Sequence, residues 1–329
     1  SEARLVIARR LIAERCLYGV DLNPLAVELA KLSIWLVTLA KGRPFGFLDH
    51  NLRCGDSLLG IHRLDQLTEL SMTPGGKGQH RLFGKNIEKA VHDAIELPQR
   101  LREMPIRDIH DVEAMARLDA DARCRLDVPE RIADALIGVT LSSEGNRSGT
   151  ENTLGALAIQ AGHAIDGDQE AIGAINTLAT NGLSYDLPSE KTCRRPFHWP
   201  LEFPEAFQGN SKGFNALVGN PPFLGGRRLR SALGGSDQLY LSQIIGGGGS
   251  INADLCDVFF RRSGQLVEQI GAIGLIATNS IGQGTTREMG LEPLCGNGFT
   301  IYRAHSNFEW PGDAGVTVSV VWLHSGPWA

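Results

Sequence analysis

Asn220-Pro221-Pro222-Phe223 is the run whose residue types and order offer the sharpest chemistry. The Asn220 amide oxygen is a neutral acceptor on a short stem. Pro222 disfavours the α conformation at Pro221, so the Pro221 carbonyl is held out of any helix ladder. Two acceptors so placed can grip both hydrogens of a planar amino group, and Phe223 offers a flat face to the ring that bears it. Such an exocyclic amine is a poor nucleophile because its lone pair is delocalised into the ring. Holding both hydrogens favours a tetrahedral nitrogen and frees the pair for attack. No strong general base is required, since the proton can leave after the transfer. The same four residues also suit a plain turn. Their position directly after the apolar run Phe214–Gly219 favours a ligand site, because open α/β sheets bind ligands at strand carboxyl ends.

The elements that must carry this turn show a strand–acid–helix rhythm. Residues 1–14 are helical in pattern, and Cys16–Asp21 reads as a short strand ending in an acid. Asn23 and Pro24 then look like a cap and a first-turn proline for an apolar helix to about Lys41, apolar nearly all round and so expected between layers. Asn51–Leu58 is a second strand candidate holding Gly55-Asp56. This rhythm predicts an α/β protein with a parallel sheet. Residues 61–190 break it with helices over about 83–104, 108–138 and 150–180. The expected organisation is therefore 1–60, a helical insertion over 61–190, and a return to α/β over 191–329. In the last part come the strand 214–219, a glycine-rich loop over 225–249, a helix from Asp254 to Ile270 and a strand Ala272–Thr278. Phe299–Ala304 and Val316–Leu323 suit an antiparallel hairpin on the sheet edge.

Composition narrows the function classes. In 329 residues, 42% hydrophobic and 21% charged, disorder and fibrous architecture are excluded as dominant states. The 39 glycines exceed the usual level of about 7% and point to tight turns or close approach to a ligand. A net charge of -5 excludes a globally basic nucleic-acid coat, so any DNA or RNA contact must use local patches or parts of a larger protein. Six scattered cysteines, none in C-x-x-C spacing, read as reduced cytosolic thiols, mostly small core residues. The most apolar stretch, 25–40, is interrupted by Glu28 and Lys31, which argues for a buried helix over a membrane span. No histidine cluster suggests a metal, and no P-loop suggests nucleotide hydrolysis.

Taken in order, these residues resemble adenine-N6 DNA methyltransferases of the large restriction-modification methylase type. Asn220–Phe223 looks like the family's catalytic tetrapeptide, and Tyr18–Pro24 looks like its second cofactor strand. The resemblance implies S-adenosylmethionine as cofactor, with Asp21 and Leu22 at its ribose and Asp56 and Ser57, in Cys54–Leu58, near its adenine. It implies a Rossmann-like methyltransferase sheet, mostly parallel with an antiparallel edge hairpin, plus the helical insertion. Asp254–Phe260, Ile273–Ser280, Phe308–Gly312 and, upstream, Phe197–Pro204 also match, so the likeness covers about residues 15–60 and 195–325. The partner implied is double-stranded DNA with a flipped adenine, in a cytoplasmic restriction-modification setting. A nuclease or specificity domain in the same or a partner chain goes with it. An aromatic near 308–310 is expected to support the flipped base. Trp310 is the first choice and Phe308 the reserve, while either also suits an ordinary core.

Two further groups are softer. Arg227, Arg228 and Arg230 stand in the glycine-rich stretch beside the turn, suited to phosphate contact or to a solvated loop. Gln283–Arg287 follows another strand end and could form a DNA-facing rim. One departure stands out: no glycine-rich cofactor loop precedes Cys16, the first glycine is Gly19, and Ser1 is not methionine. The expectation is an N-terminally truncated fragment whose own cofactor binding is weak or absent, even with an active parent enzyme. Two rivals remain: a protein glutamine-N5 methyltransferase, which uses a similar turn on a planar amide, and a truncated, non-catalytic DNA-binding piece.

Overall fold

The computed structural model describes residues 4–38, 48–74, 108–143, 147–187, 191–207, 212–248, 254–310 and 317–328, with isolated positions between 87 and 104. The helix expected over 83–104 falls largely outside the described residues. The chain divides into two compact units. One comprises 1–139, 148–183 and 194–205; the other comprises 140–147, 184–193 and 206–329.

The first unit opens with α1 (Arg4–Arg15), β1 (Gly19–Asp21), α2 (Pro24–Thr38) and β2 (Leu52–Cys54). β1 and β2 pair in parallel, Gly19 opposite Leu52 and Asp21 opposite Cys54. Asn51 fixes this corner: its buried side-chain amide donates to the Leu17 carbonyl at 2.7 Å and to the Glu14 carbonyl at 3.3 Å, satisfying chain that leaves α1. Asn23 caps α2, its side-chain oxygen accepting the Leu25 N–H at 3.0 Å. α2 is not enclosed as its apolar sequence suggests. Val27 and Lys31 are buried, whereas Leu25, Leu29, Leu32, Leu36 and Val37 are exposed. Among the described residues the helix packs chiefly against α1, β1 and β2.

Then follow α3 (Leu64–Thr68), α4 (Ile109–Ser142), α5 (Arg147–Ile165), α6 (Gln169–Leu183) and α7 (Trp199–Glu202). The single helix expected over 150–180 is two helices. Gly167 adopts φ +93°, and Asp168 accepts the Glu170 and Ala171 N–H groups at 2.9 and 3.3 Å, ending α5 and capping α6. α4 and α6 touch through Gly138 and Gly182, where a Cβ on Gly182 would come within 2.4 Å of the Gly138 backbone. Residues 195–199 run beside 56–61: Asp56 bridges Pro196, Phe197 N–H donates to the Leu59 carbonyl at 2.7 Å, and Phe197, Trp199 and Phe203 form a buried aromatic group.

The second unit is a four-stranded sheet in the order β3-β4-β6-β5, with β3 (Phe214–Gly219), β4 (Val267–Thr278), β5 (Phe299–Glu309) and β6 (Thr317–Ser325). β3 and β4 are parallel, while β6 is antiparallel to both β4 and β5. The hairpin is present, but its second strand lies inside and its first at the edge. With the β1–β2 pair, the described residues hold two parallel and two antiparallel pairings, so the sheet content is mixed α/β and not mostly parallel. Ile273, Leu275 and Ala277 of β4 and Val321 and Leu323 of β6 alternate onto one face. There they pack with Cys256, Phe260, Ile281, Leu291 and Leu294 from the helices.

Those helices are α10 (Leu255–Leu266), the 3-10 turn Asn279–Gly282 that carries Ile281, and α12 (Leu291–Gly296), which follows the short α11 (Gly284–Met289). Between β3 and α10, the glycine-rich stretch expected as a loop instead forms α8 (Gly226–Leu233), α9 (Gly235–Tyr240) and a π turn over Leu241–Ile245. Arg, Leu, Ser and Ala inside it are adequate helix formers, and fully buried Leu229 anchors α8. The cysteines also differ from expectation: Cys256 alone is buried, Cys54 is half-buried, and Cys16, Cys124, Cys193 and Cys295 are exposed. No helix among the described residues is long and apolar enough to cross a membrane.

Candidate functional site

In the second unit, the turn leaves the carboxyl end of β3. Asn220 and Pro222 are exposed, Pro221 is buried, and Phe223 is 39% exposed. Among the described residues, neither the Asn220 side-chain amide nor the Pro221 carbonyl has a hydrogen-bond partner. Two acceptors are thus left to a ligand beside a half-open aromatic face. The next residue ties the turn down, since Leu224 N–H donates to the Pro222 carbonyl at 3.1 Å and its own carbonyl accepts from Leu255 N–H at 2.9 Å.

Asp254, at the start of α10, links this turn to the end of β4. Its Oδ2 accepts the Thr278 hydroxyl at 2.7 Å and the Ser280 hydroxyl at 2.8 Å, and its Oδ1 lies where a Cβ on Gly225 would meet it at 3.2 Å. Sequence reasoning placed Asp254, Thr278 and Ser280 in matching motifs but gave them no role. Beside them, Asp257 is buried, and its Oδ2 has no hydrogen-bond partner among the described residues. Burial, reinforced by the Asp254 charge, pushes the Asp257 carboxyl up to about 8. Burial and the neighbouring Asp257 push the Cys256 thiol up to about 12, which makes it a packing group and not a nucleophile.

Strand register places the aromatic candidates at the same end of this sheet. Gly219 pairs with Leu275, and three residues further along β4 Thr278 pairs with Val318, itself opposite Phe308. Phe308 is 46% exposed, and Trp310 is half-buried just beyond β5. Arg227, Arg228 and Arg230 lie on α8, not in the loop expected of them. Arg228 and Arg230 are exposed, while the Arg227 side chain lies outside the described atoms. Within Gln283–Arg287, Thr286 is buried and Arg287 pairs with Glu292 at 2.9 Å, leaving Gln283, Gly284 and Thr285 exposed.

In the first unit, Asp21 and Asp56 stand at the carboxyl ends of neighbouring parallel strands. Asp21 is exposed and its Oδ1 accepts the Asn23 N–H at 2.7 Å, which turns the chain into α2. Asp56 Oδ1 accepts the Leu58 N–H at 3.0 Å, and the Ser57 carbonyl accepts the Trp199 indole N–H at 3.1 Å. Leu22 is 60% exposed beside Asp21. Just before Gly55, Arg53 joins a charge cluster that sequence reasoning missed. Arg53 Nη2 meets Asp119 at 2.8 Å, and Arg123 meets Glu202 at 2.5 Å and Glu130 at 2.8 Å. Glu202 also lies 3.5 Å from Arg53 Nε, so one carboxylate of α7 joins β2 to α4. Burial pulls Arg123 down, but Glu202, its hydrogen bond, Glu130 and Asp119 outweigh this and hold it above its ordinary value. Burial and then Glu202 push Glu130 up against the opposing pull of Arg123. Among the described residues, no group of three His, Cys, Asp or Glu side chains could hold a metal ion.

Among solved structures, the chain is similar to one described as the Type IIL restriction-modification enzyme MmeI in complex with DNA. The identity is 12% and the TM-score 0.33, over 76% of this chain and 35% of that one. The chain thus spans about a third of that enzyme's length. No curated protein matches it. The profile of the Eco57I restriction-modification methylases matches residues 15–289, over most of the motifs described above, and the chain belongs to that family.

Proposed function

We propose that this chain carries the methyl-transfer machinery of an adenine-N6 DNA methyltransferase that uses S-adenosylmethionine within a cytoplasmic restriction-modification system. The observation that carries the reading is the pair of acceptors, Asn220 and the Pro221 carbonyl at the end of β3, that have no hydrogen-bond partner among the described residues. Membership of a methylase family supports it. The parallel pairs and the antiparallel hairpin support a Rossmann-like methyltransferase sheet, with 61–190 as a helical insertion between 1–60 and 191–329.

The polar groups of the first unit fit the proposed cofactor. Exposed Asp21 keeps its Oδ2 available for ribose hydroxyls after Oδ1 has taken the Asn23 N–H, with Leu22 beside it and Asp56 and Ser57 at the neighbouring strand end. When bound, S-adenosylmethionine supplies an electrophilic methyl on a good leaving group. The second unit prepares the acceptor. Asn220 Oδ1 and the Pro221 carbonyl each accept one hydrogen of the adenine amino group, Phe223 stacks on the ring, and the nitrogen lone pair is released from conjugation. After transfer the nitrogen is cationic and loses its proton without a dedicated base. The adenine must first leave the duplex, and Trp310 or Phe308 offers a stacking surface that offsets part of the unstacking cost. Arg227, Arg228 and Arg230 on α8 are suited to phosphates, and a nuclease or specificity domain in the same or a partner chain completes the system.

The test supplies labelled S-adenosylmethionine with unmethylated genomic DNA and with protein acceptors. The intact parent protein is expected to label DNA, and its Asn220→Ala variant to lower the rate by about 100-fold or more, as loss of a preorganised polar contact does. Asn220→Ala at full rate would overturn the mechanism. Label on protein glutamine would favour the glutamine methyltransferase, and DNA binding without label would favour a non-catalytic piece.

A further inference from the structure

β5 carries two irregularities, one between Ile301 and Arg303 and a second, between His305 and Phe308, that places Phe308. His305 pairs with Val320 and Phe308 with Val318, so Ser306 and Asn307 together oppose the single residue Ser319. Asn307 adopts φ +56°, a left-handed conformation that a non-glycine residue enters only at a cost. The one-residue insertion decides which side chain faces where. Without it Asn307 would lie opposite Val318 and Phe308 would swing to the other face of the sheet.

A side chain from the turn after β4 holds this bulge. Asn279, just past β4, uses its Oδ1 to accept the Ser319 hydroxyl at 2.8 Å and the Asn307 N–H at 3.3 Å. Its Nδ2 donates to the Asn307 side-chain oxygen at 2.9 Å. One amide thus engages the bulged residue twice and the residue opposite it once. Asn307 and Phe308 are exposed and Asn279 half-buried, so the contact is not a core requirement. The geometry points to Asn279 as a positioning residue that sets the β5 bulge and thereby presents Phe308 to the target base. This rests on the reading of Phe308 as a base-stacking residue.

The experiment combines local hydrogen exchange with methyl transfer to unmethylated genomic DNA. Asn279→Ala removes the acceptor of the Asn307 N–H, so that amide is expected to exchange faster while β4 and β6 stay protected. The kcat is expected to fall roughly tenfold or more, because small misplacements of a positioning group are costly, with cofactor affinity unchanged. Adding Asn307→Gly, which accepts the left-handed backbone without strain, restores part of the rate. In a Phe308→Ala background, Asn279→Ala adds nothing, since its effect passes through that ring. Full activity of Asn279→Ala in a protein that methylates DNA would overturn the inference alone, as would independent losses in the double variant. A wild-type protein transferring no methyl to DNA would instead overturn the underlying reading and base presentation with it. Unchanged exchange at Asn307 would show that the amide does not hold the bulge.

Discussion

At the scale of single residues, two neutral acceptors carry the proposed chemistry, and a half-buried acid, Asp254, and a buried one, Asp257, condition its surroundings. Asn220 and Pro221 were legible in sequence because residue type and order alone define what they offer. Asp254 and Asn279 were not: their partners lie 24 to 40 residues away in the chain, Asp254 reaching the end of β4 from the start of α10 and Asn279 reaching Asn307 and Ser319 through the register of β6 with β4 and β5. Asp257 makes a testable statement about the ground beneath the site. Its carboxyl is pushed up to about 8 by burial and by Asp254. An acid whose folded value exceeds its unfolded value of about 3.9 holds an extra proton when folded. Its share of stability is therefore whole at low pH, drains away as pH rises, and levels off once pH passes about 8. Asp257→Asn mimics the protonated form. Thermal melts should nearly coincide with wild type at about pH 4, with the variant gaining an advantage of several degrees by about pH 8. Parallel curves across that range would contradict the protonation of this buried group.

At the scale of elements, strands were the most legible. The apolar run Phe214–Gly219 is β3 to the residue, and both strands of the hairpin stand where alternation placed them. Helix boundaries failed where one residue redirects the chain, as Gly167 does by splitting 150–180. The stretch 225–249 misled because its glycines mask ordinary helix formers, anchored by Leu229. The link between α4, β2 and α7 was invisible for another reason: charged residues on a helix read as a solvated face until the fold supplies partners. Here Glu202 serves both Arg53 and Arg123 and is only 14% exposed. Glu202→Gln leaves two guanidinium groups short of charge, and urea unfolding should show a loss of about 2 kcal/mol or more. By contrast Glu292→Gln, which breaks the half-exposed pair with Arg287, should cost at most about 1 kcal/mol. Equal costs would mean that the cluster does not join the helices to the strand before Gly55-Asp56.

At the scale of the whole molecule, the division into two compact units parallels a division of labour in the proposal. Strand-end acids for the cofactor lie in one unit; the amine-gripping turn and the aromatic edge lie in the other. With a net charge of -5 on this chain, the proposal assigns DNA attraction to local groups such as Arg228 and Arg230 on α8, or to parts of a larger protein, and not to the overall field. Family membership was legible because the motifs recur in order along residues 15–289. The central claim is that Asn220 and the Pro221 carbonyl prepare the amino group of adenine for methylation. Digesting genomic DNA to nucleosides after incubation with the protein and isotope-labelled S-adenosylmethionine, then weighing the products, tests it most directly. Label in N6-methyladenine, lost in Asn220→Ala, is the expected result; label on cytosine or on protein glutamine, or N6-methyladenine formed undiminished by Asn220→Ala, would contradict it.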